Sequence, residues 1–130
     1  MSVFRLLIGA AALICSIAAF AEETVPQPPG PDVPAECAKV FGAWVGDWNY
    51  IGRLWLRVVR VGPSCTVQYS YVDTSAPQKT FHLGAIENGT LSIPCGSGTC
   101  VFELHGDDLW ASYSDTQART NNAVFIREKP

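Results

Sequence analysis

Short runs rich in Val, Ile, Tyr, Phe and Trp recur about every ten residues after Cys37, and turn residues separate them. Such runs are typical of β-strands, and no segment keeps the 3.6-residue period of a helix beyond one short turn at 35–43. The sequence therefore predicts eight strands, over residues 44–50, 53–61, 65–73, 79–86, 90–94, 100–105, 108–114 and 122–128.

The turns between these strands are too short for crossover helices, which indicates an antiparallel meander. Asn88-Gly89 is the strongest hairpin signal among them. A meander left open would expose two strand edges, and closing it into a barrel removes both. We therefore predict an all-β fold, an eight-stranded up-and-down barrel, with a two-sheet β-sandwich as the alternative.

Alternation along the strands predicts which side chains point into the barrel. Val59 and Val61 break the alternation of the second strand and indicate a bulge near Arg60. On the fourth strand, His82 falls on the opposite face to Phe81 and Leu83, and thus outward. The predicted inward residues are Leu54, Leu56, Val58, Trp48, Val67, Tyr69, Tyr71, Phe81, Leu83, Ala85, Phe102, Leu109, Ala111, Tyr113 and Phe125. Because many of them are large, we expect them to fill most of the interior.

The first 36 residues have a different composition from the rest. Arg5, the apolar run 6–20 and the small residues around Ala21 predict a signal peptide over residues 1–21. Residues 22–36 are rich in proline and poor in apolar side chains, which predicts a flexible leader that contributes little to stability. The barrel is then a single domain at 37–130, in a secreted or periplasmic protein with no membrane span after signal cleavage.

The cysteines and the net charge indicate which kinds of bonds and partners this protein has. Cys37, Cys65, Cys95 and Cys100 remain in the exported chain, and an even number in that setting indicates disulfides. Of the three possible connectivities we favour Cys37–Cys65 with Cys95–Cys100. Without Arg5, eight basic side chains face twelve acidic ones, a net charge of −4, so no nucleic-acid partner is expected.

The decapeptide at 41–50, FGAWVGDWNY, carries the one resemblance to known families. Gly46-Asp47-Trp48 resembles the Gly-x-Trp signature of the calycins, the lipocalins and avidins. The resemblance implies a barrel plugged at one end by Trp48 and covered there by Arg127 of the last strand. The pattern from Trp44 to Ser70 also resembles small secreted bacterial β-domains of unassigned function. We predict that Trp44, like Trp48, belongs to the plug, and the alternative is that both tryptophans contact a ligand.

Two other tryptophans are candidates for binding because they are predicted to point outward. Trp55 shares its face with Arg53 and Arg57, and Trp110 lies on the outer face of the seventh strand. An outward indole among arginines can stack on a sugar or an aromatic group. The alternative is a surface stack that stabilises neighbouring strands. His82 completes the candidate binding residues.

These features favour an exported, non-enzymatic protein that binds a small molecule or a glycan, either at the open mouth of the barrel or around Trp55. A protein-interaction module, an inhibitor or an envelope component presenting loops 74–78 and 115–121, is the second hypothesis. A hydrolytic enzyme using His105 and Asp107 is the third, because a histidine beside a carboxylate can act as an acid–base pair. We expect no cofactor and no metal site.

Overall fold

The structure, a computed structural model, describes residues 26–129. The predicted signal peptide, the first residues of the leader and Pro130 lie outside the described residues. Among residues 26–129, no helix has the length and apolar character needed to span a membrane.

One short helix precedes eight strands in the described chain. The helix is α1 (Ala35–Ala38), and the strands are β1 (Gly42–Trp48), β2 (Gly52–Val61), β3 (Thr66–Val72), β4 (His82–Glu87), β5 (Thr90–Cys95), β6 (Gly98–His105), β7 (Asp108–Asp115) and β8 (Thr120–Arg127). The strand count is as predicted. The largest difference in bounds is at 79–81, which the structure leaves in the long loop before β4.

The strands form a closed barrel in sequence order. Each strand pairs antiparallel with the next, and β8 returns to pair with β1 through Trp44–Arg127, Val45–Ile126 and Gly46–Phe125. The prediction of an eight-stranded up-and-down barrel is therefore confirmed, and the sandwich alternative is wrong.

Local signals in the sequence account for the turn and the bulge. Asn88 and Gly89 have φ angles of 52° and 79°, the two positive values that a two-residue hairpin turn requires. The β2–β3 register shifts between Val58 and Arg60, so Val59 is the extra residue of a bulge. The predicted bulge near Arg60 is present.

The inner faces of β2, β3 and β7 are those predicted, but the face of β4 is reversed. Leu83 is 72% exposed and Ile86 is 7% exposed, so Gly84 and Ile86 face inward and His82 lies on the same side at the rim. The assignment of Phe81, Leu83 and Ala85 to the interior is therefore wrong. Space next to β4 is already occupied, since a Cβ on Gly84 would lie 3.2 Å from atoms of Tyr69 and Leu91.

One end of the barrel is closed by Trp44, α1 and Arg127. Trp44 is fully buried, and its Nε1 donates a hydrogen bond to the Val40 carbonyl at 2.9 Å. The Arg127 guanidinium lies 4.2 Å from the centroid of the Trp44 ring. Its Nη1 and Nη2 donate to the carbonyls of Phe41 and Lys39 at 2.8 and 2.6 Å.

A basic residue of the last strand thus covers a tryptophan of the first, but the tryptophan is Trp44 and not Trp48. The matching Gly-x-Trp is Gly42-Ala43-Trp44. Gly42 has φ of 125°, and a Cβ there would lie 2.7 Å from Nη1 of Arg127. Glycine is required at this place by both the backbone and the arginine.

Aromatic rings fill the closed half, and the two disulfides lie at opposite ends of the barrel. Phe102 and Phe125 pack edge to face, with centroids 5.3 Å apart. Phe125 lies against Gly46, where a Cβ would overlap its ring. Cys37–Cys65 ties α1 to the β2–β3 turn and Cys95–Cys100 crosses the β5–β6 hairpin, the two pairs that the sequence favours.

The described part of the leader contacts the barrel at two points. The Gln27 backbone N–H donates to the carbonyl of the bulge residue Val59 at 2.9 Å. Val33 packs against the hydrophobic core. These contacts lead us to expect a contribution to stability that the leader's composition alone does not predict.

Candidate functional site

The end of the barrel opposite Trp44 holds a cavity of about 770 Å³. It is lined by residues from β1 to β7 and from the turns at this end of the barrel: Trp48, Ile51, Arg53, Leu54, Tyr69, Tyr71, Val72, Asp73, His82, Pro94, Cys95, Gly96, Ser97, Cys100 and Tyr113. We call it the mouth cavity. The interior is therefore filled at one end only, and the expectation that side chains fill most of it holds for the closed half.

Trp48 lies at the inner end of the mouth cavity. It ends β1, is 4% exposed and packs edge to face on Phe125 with centroids 6.0 Å apart. Its Nε1 donates a hydrogen bond of 2.7 Å to the hydroxyl of Tyr71. Trp48 therefore packs against the filled half of the barrel through Phe125 and also lines the cavity. A ligand in the cavity would contact it.

The Tyr71 hydroxyl is the central polar group of the cavity. It accepts the Trp48 hydrogen bond, and its own hydrogen has no nitrogen or oxygen acceptor among residues 26–129. The bridged Cys100 sulfur, 4.0 Å away, is a weak acceptor. Burial raises the Tyr71 pKa to about 12, more than the Trp48 hydrogen bond lowers it, so the hydroxyl stays a donor at physiological pH.

The rim adds polar groups around this apolar interior. Tyr69, whose pKa is raised by burial, lies beside His82 with ring centroids 5.7 Å apart. Tyr113 donates a hydrogen bond of 3.0 Å to Asp115. His82 was predicted to be a binding residue on the outer face, and the structure places it at this rim instead.

The Asp115 carboxylate orders the β7–β8 loop beside the rim. It accepts from the backbone N–H groups of Gln117 and Arg119 at 2.9 and 3.0 Å, and from the Arg119 Nε at 2.8 Å. Desolvation raises its pKa, but the hydrogen bonds from Arg119, Tyr113 and Gln117 outweigh it and leave the pKa lowered.

Trp55 and its arginines are not brought together as one open platform. Trp55 is half-buried on the outer face, and its Nε1 donates to Glu128 at 2.9 Å. Arg57 lies 3.7 Å from the same carboxylate and donates to the Ser75 carbonyl at 2.8 Å. Arg53 instead pairs with Asp47 at 3.2 Å, beside the mouth. The Trp55 indole is thus engaged within the protein.

Trp110 lies on another part of the outer face and is 53% exposed. His105 stacks on its ring, with centroids 3.9 Å apart and planes 11° from parallel. The His105 Nε2 lies 3.0 Å from Glu103, so its carboxylate partner is Glu103 rather than Asp107. A shallower cavity of about 460 Å³ adjoins Trp110 and Val124.

Within residues 26–129, no group of three or more His, Cys, Asp or Glu side chains could hold a metal ion. Two buried polar atoms of the described chain have no partner, the Arg57 Nη1 and the Ser70 Oγ. Arg57 and Ser70 are cross-strand partners on β2 and β3.

Comparison with known protein families, with curated proteins and with solved structures finds no significant match to this chain. The case for a site therefore depends on its own geometry.

The sequence suggested a site at the open mouth of the barrel, but it did not predict the tyrosines of that site because it treated them as core residues. The sequence analysis correctly placed Tyr69, Tyr71 and Tyr113 on inner faces, but it expected them to fill the barrel interior. Their hydroxyls are the signal that was available, since a buried hydroxyl needs a partner and a filled apolar barrel offers few.

Proposed function

We propose that this protein is an exported, calycin-like binding protein whose mouth cavity takes a small, mostly apolar molecule carrying a hydrogen-bond acceptor. The observation that carries the proposal is the Tyr71 hydroxyl, a half-buried donor whose hydrogen meets only a weak sulfur acceptor among residues 26–129. A carbonyl or ether oxygen in the cavity would satisfy it.

The dimensions and lining of the cavity support a small molecule. A volume of about 770 Å³ lies within the roughly 300–1,000 Å³ of small-molecule sites. Its walls are mainly aromatic and aliphatic side chains, a proline and a disulfide, and the polar side chains among them are those of Arg53, Asp73, His82 and Ser97. A planar ring system with one oxygen suits such a surface better than a glycan, whose hydroxyls need many partners.

The calycin-like assignment is supported by the plug. Gly42-Ala43-Trp44 on β1 and Arg127 on β8 reproduce the arrangement that the family resemblance implies, on a closed eight-stranded barrel. Export is supported by the predicted signal peptide and by two disulfides, which persist in oxidising compartments. The proposal assigns no catalytic step to the protein.

Calorimetric titration with matched ligands tests this proposal. Acetylnaphthalene and ethylnaphthalene have nearly the same size and differ in the carbonyl oxygen. We expect the ketone to bind more tightly, by about tenfold for one hydrogen bond of 1.4 kcal/mol. Tyr71→Phe should remove this preference, whereas Tyr50→Phe, which changes a fully exposed tyrosine, should retain it.

Two results would contradict the proposal. One is the absence of measurable binding across a panel of such aromatic ketones. The other is a ketone preference that Tyr71→Phe leaves intact in a folded protein, because the donor would then lie elsewhere.

A further inference from the structure

The barrel wall has a seam between β4 and β5. These strands are joined by the Asn88-Gly89 turn, yet they pair at two positions only, Ile86–Leu91 and Glu87–Thr90. The next ladder, between β5 and β6, runs through all six residues of β5. Within the described part of the chain, residues 82–85 and 92–95 have no partner across the seam.

Alternation shows which backbone groups of β4 face this seam. The Ile86 N–H donates to the Cys65 carbonyl at 2.9 Å, on the β3 side. Because successive residues of an antiparallel strand direct their hydrogen-bonding groups to opposite neighbours, Leu83 and Ala85 direct theirs toward β5.

Pro94 accounts for part of the incomplete ladder. The two-residue turn at 96–97 closes on the Cys95–Gly98 pair, so Cys95 bonds to β6 and the backbone of Pro94 faces β4. Proline has no N–H, so the residue opposite Leu83 cannot form the reciprocal pair of hydrogen bonds. The pair between Ala85 and Ser92 is missing as well, so β4 is unpaired at both positions that face the seam.

The β4 side of the seam lacks the features that protect strand edges. Residues 82–85, HLGA, include no lysine, no carboxylate and no proline, the residues that commonly block edge pairing. The Leu83 side chain is 72% exposed beside this edge. His82 on the inner side of β4 and the exposed Pro94 of β5 flank the seam, and both line the mouth cavity.

We propose that the free edge of β4 binds an extended, apolar peptide segment of a partner protein by strand addition. The peptide backbone pairs with Leu83 and Ala85, and its side chains alternate between the mouth cavity and the outer surface beside Leu83. An extended backbone is the ligand that matches unpaired N–H and C=O groups at strand spacing. This interaction recognises the backbone amides of the peptide, so it does not depend on the small-molecule site proposed above.

Peptides methylated on alternate amides test the proposal. The probe is an acetylated, amidated hexapeptide of alternating valine and threonine, measured by NMR shift titration of the full barrel domain. Two N-methylated versions block one edge of the peptide each. We expect one version to bind at least about tenfold more weakly and the other to bind like the parent.

A pair of variants on the protein side provides the matched control. Leu83→Pro removes the N–H that faces the seam, and we expect it to lose peptide binding. Leu83→Thr keeps that N–H and removes the apolar side chain, and we expect it to bind within about threefold of the wild type. Tyr71→Phe, which tests the small-molecule site, should leave the difference between the two methylated peptides unchanged.

The proposal is overturned if the three peptides bind equally, if both methylated versions lose binding to the same extent, or if the parent peptide does not bind. A concentration-dependent dimer in sedimentation that Leu83→Pro abolishes would overturn it as well, because the edge would then bind a second copy of this chain. Where Leu83→Pro fails to fold, the methylated peptides on the wild-type protein still decide.

Discussion

The guanidinium of Arg127 lies over the ring of Trp44, 4.2 Å from its centroid, and joins the last strand of the barrel to the first. The same guanidinium also donates two hydrogen bonds, to the carbonyls of Phe41 and Lys39, which follow α1. One side chain therefore connects β8, β1 and the segment that closes the barrel.

Arg127→Ala should lower the free energy of unfolding by about 2–4 kcal/mol, since it removes a cation–π contact and two charge-assisted hydrogen bonds. Urea denaturation measures this. Arg60→Ala, at an exposed arginine of β2, should stay within about 0.5 kcal/mol of the wild type. A double-mutant cycle of Arg127→Ala with Trp44→Phe should show coupling. Additive effects would show that the stack contributes nothing.

The Cys37–Cys65 disulfide should stabilise the fold more than Cys95–Cys100. The first joins residues 28 apart and the second residues 5 apart. The loop-entropy estimate is about 3–4 kcal/mol for the longer loop and about 2 kcal/mol for the shorter. Paired Cys→Ala variants in thermal or urea unfolding give the comparison, and a larger loss from the 95–100 pair would contradict it.

Tyr71 should make stability fall at high pH. Burial raises its pKa to about 12 in the folded protein, above the usual 10.0, so the folded state holds the proton more tightly. The resulting stabilisation is complete below pH 10 and is lost as the pH rises toward 12. Absorbance at the tyrosinate band should show a late-titrating group that Tyr71→Phe removes. Its persistence in that variant would assign it to another tyrosine.

Asp115 should have the opposite pH dependence. Its hydrogen bonds outweigh desolvation and lower its pKa below the usual 3.8, so its stabilisation is present above that value and lost as the pH falls through the lowered pKa. Asp115→Asn should therefore destabilise the protein at pH 7 and make little difference in strong acid. An equal effect at both pH values would point to a role independent of charge.

Removing the leader should lower the melting temperature once the cut passes Val33. A chain starting at residue 26 keeps the Gln27–Val59 hydrogen bond and the Val33 packing, and a chain starting at residue 34 loses both. For a domain of this size about 1 kcal/mol corresponds to roughly 4–8 °C. Equal melting temperatures would show that the leader contacts contribute nothing, as its composition suggested.

The strands of this barrel could be predicted because large apolar residues occupy every second position on their inner faces. β4 is the exception, since Phe81, Leu83 and Ala85 outweigh His82, Gly84 and Ile86 in apolar character. The inward face of β4 is determined by Tyr69 and Leu91, whose side chains occupy the space next to Gly84 in the barrel interior. This contact joins side chains of β3, β4 and β5, so the alternation pattern of β4 alone does not predict it.

The plug shows a second limit. Gly42-Ala43-Trp44 and Gly46-Asp47-Trp48 have the same spacing and the same face, so the sequence alone does not distinguish them. The distinction comes from α1 and Arg127, which reach only the first of the two. The tyrosines of the mouth cavity were not predicted for a similar reason, because an inward tyrosine gives the same sequence pattern in a filled half and in an open half of a barrel.

The pairing of β1 with β8 also constrains how the protein can be made. A chain synthesised from its N-terminus contains Trp44 long before Arg127. Until β8 has been made, β1 has one free edge and the Trp44 indole is not covered by Arg127. Any N-terminal intermediate therefore stays incomplete and open to proteases and chaperones until the final residues emerge.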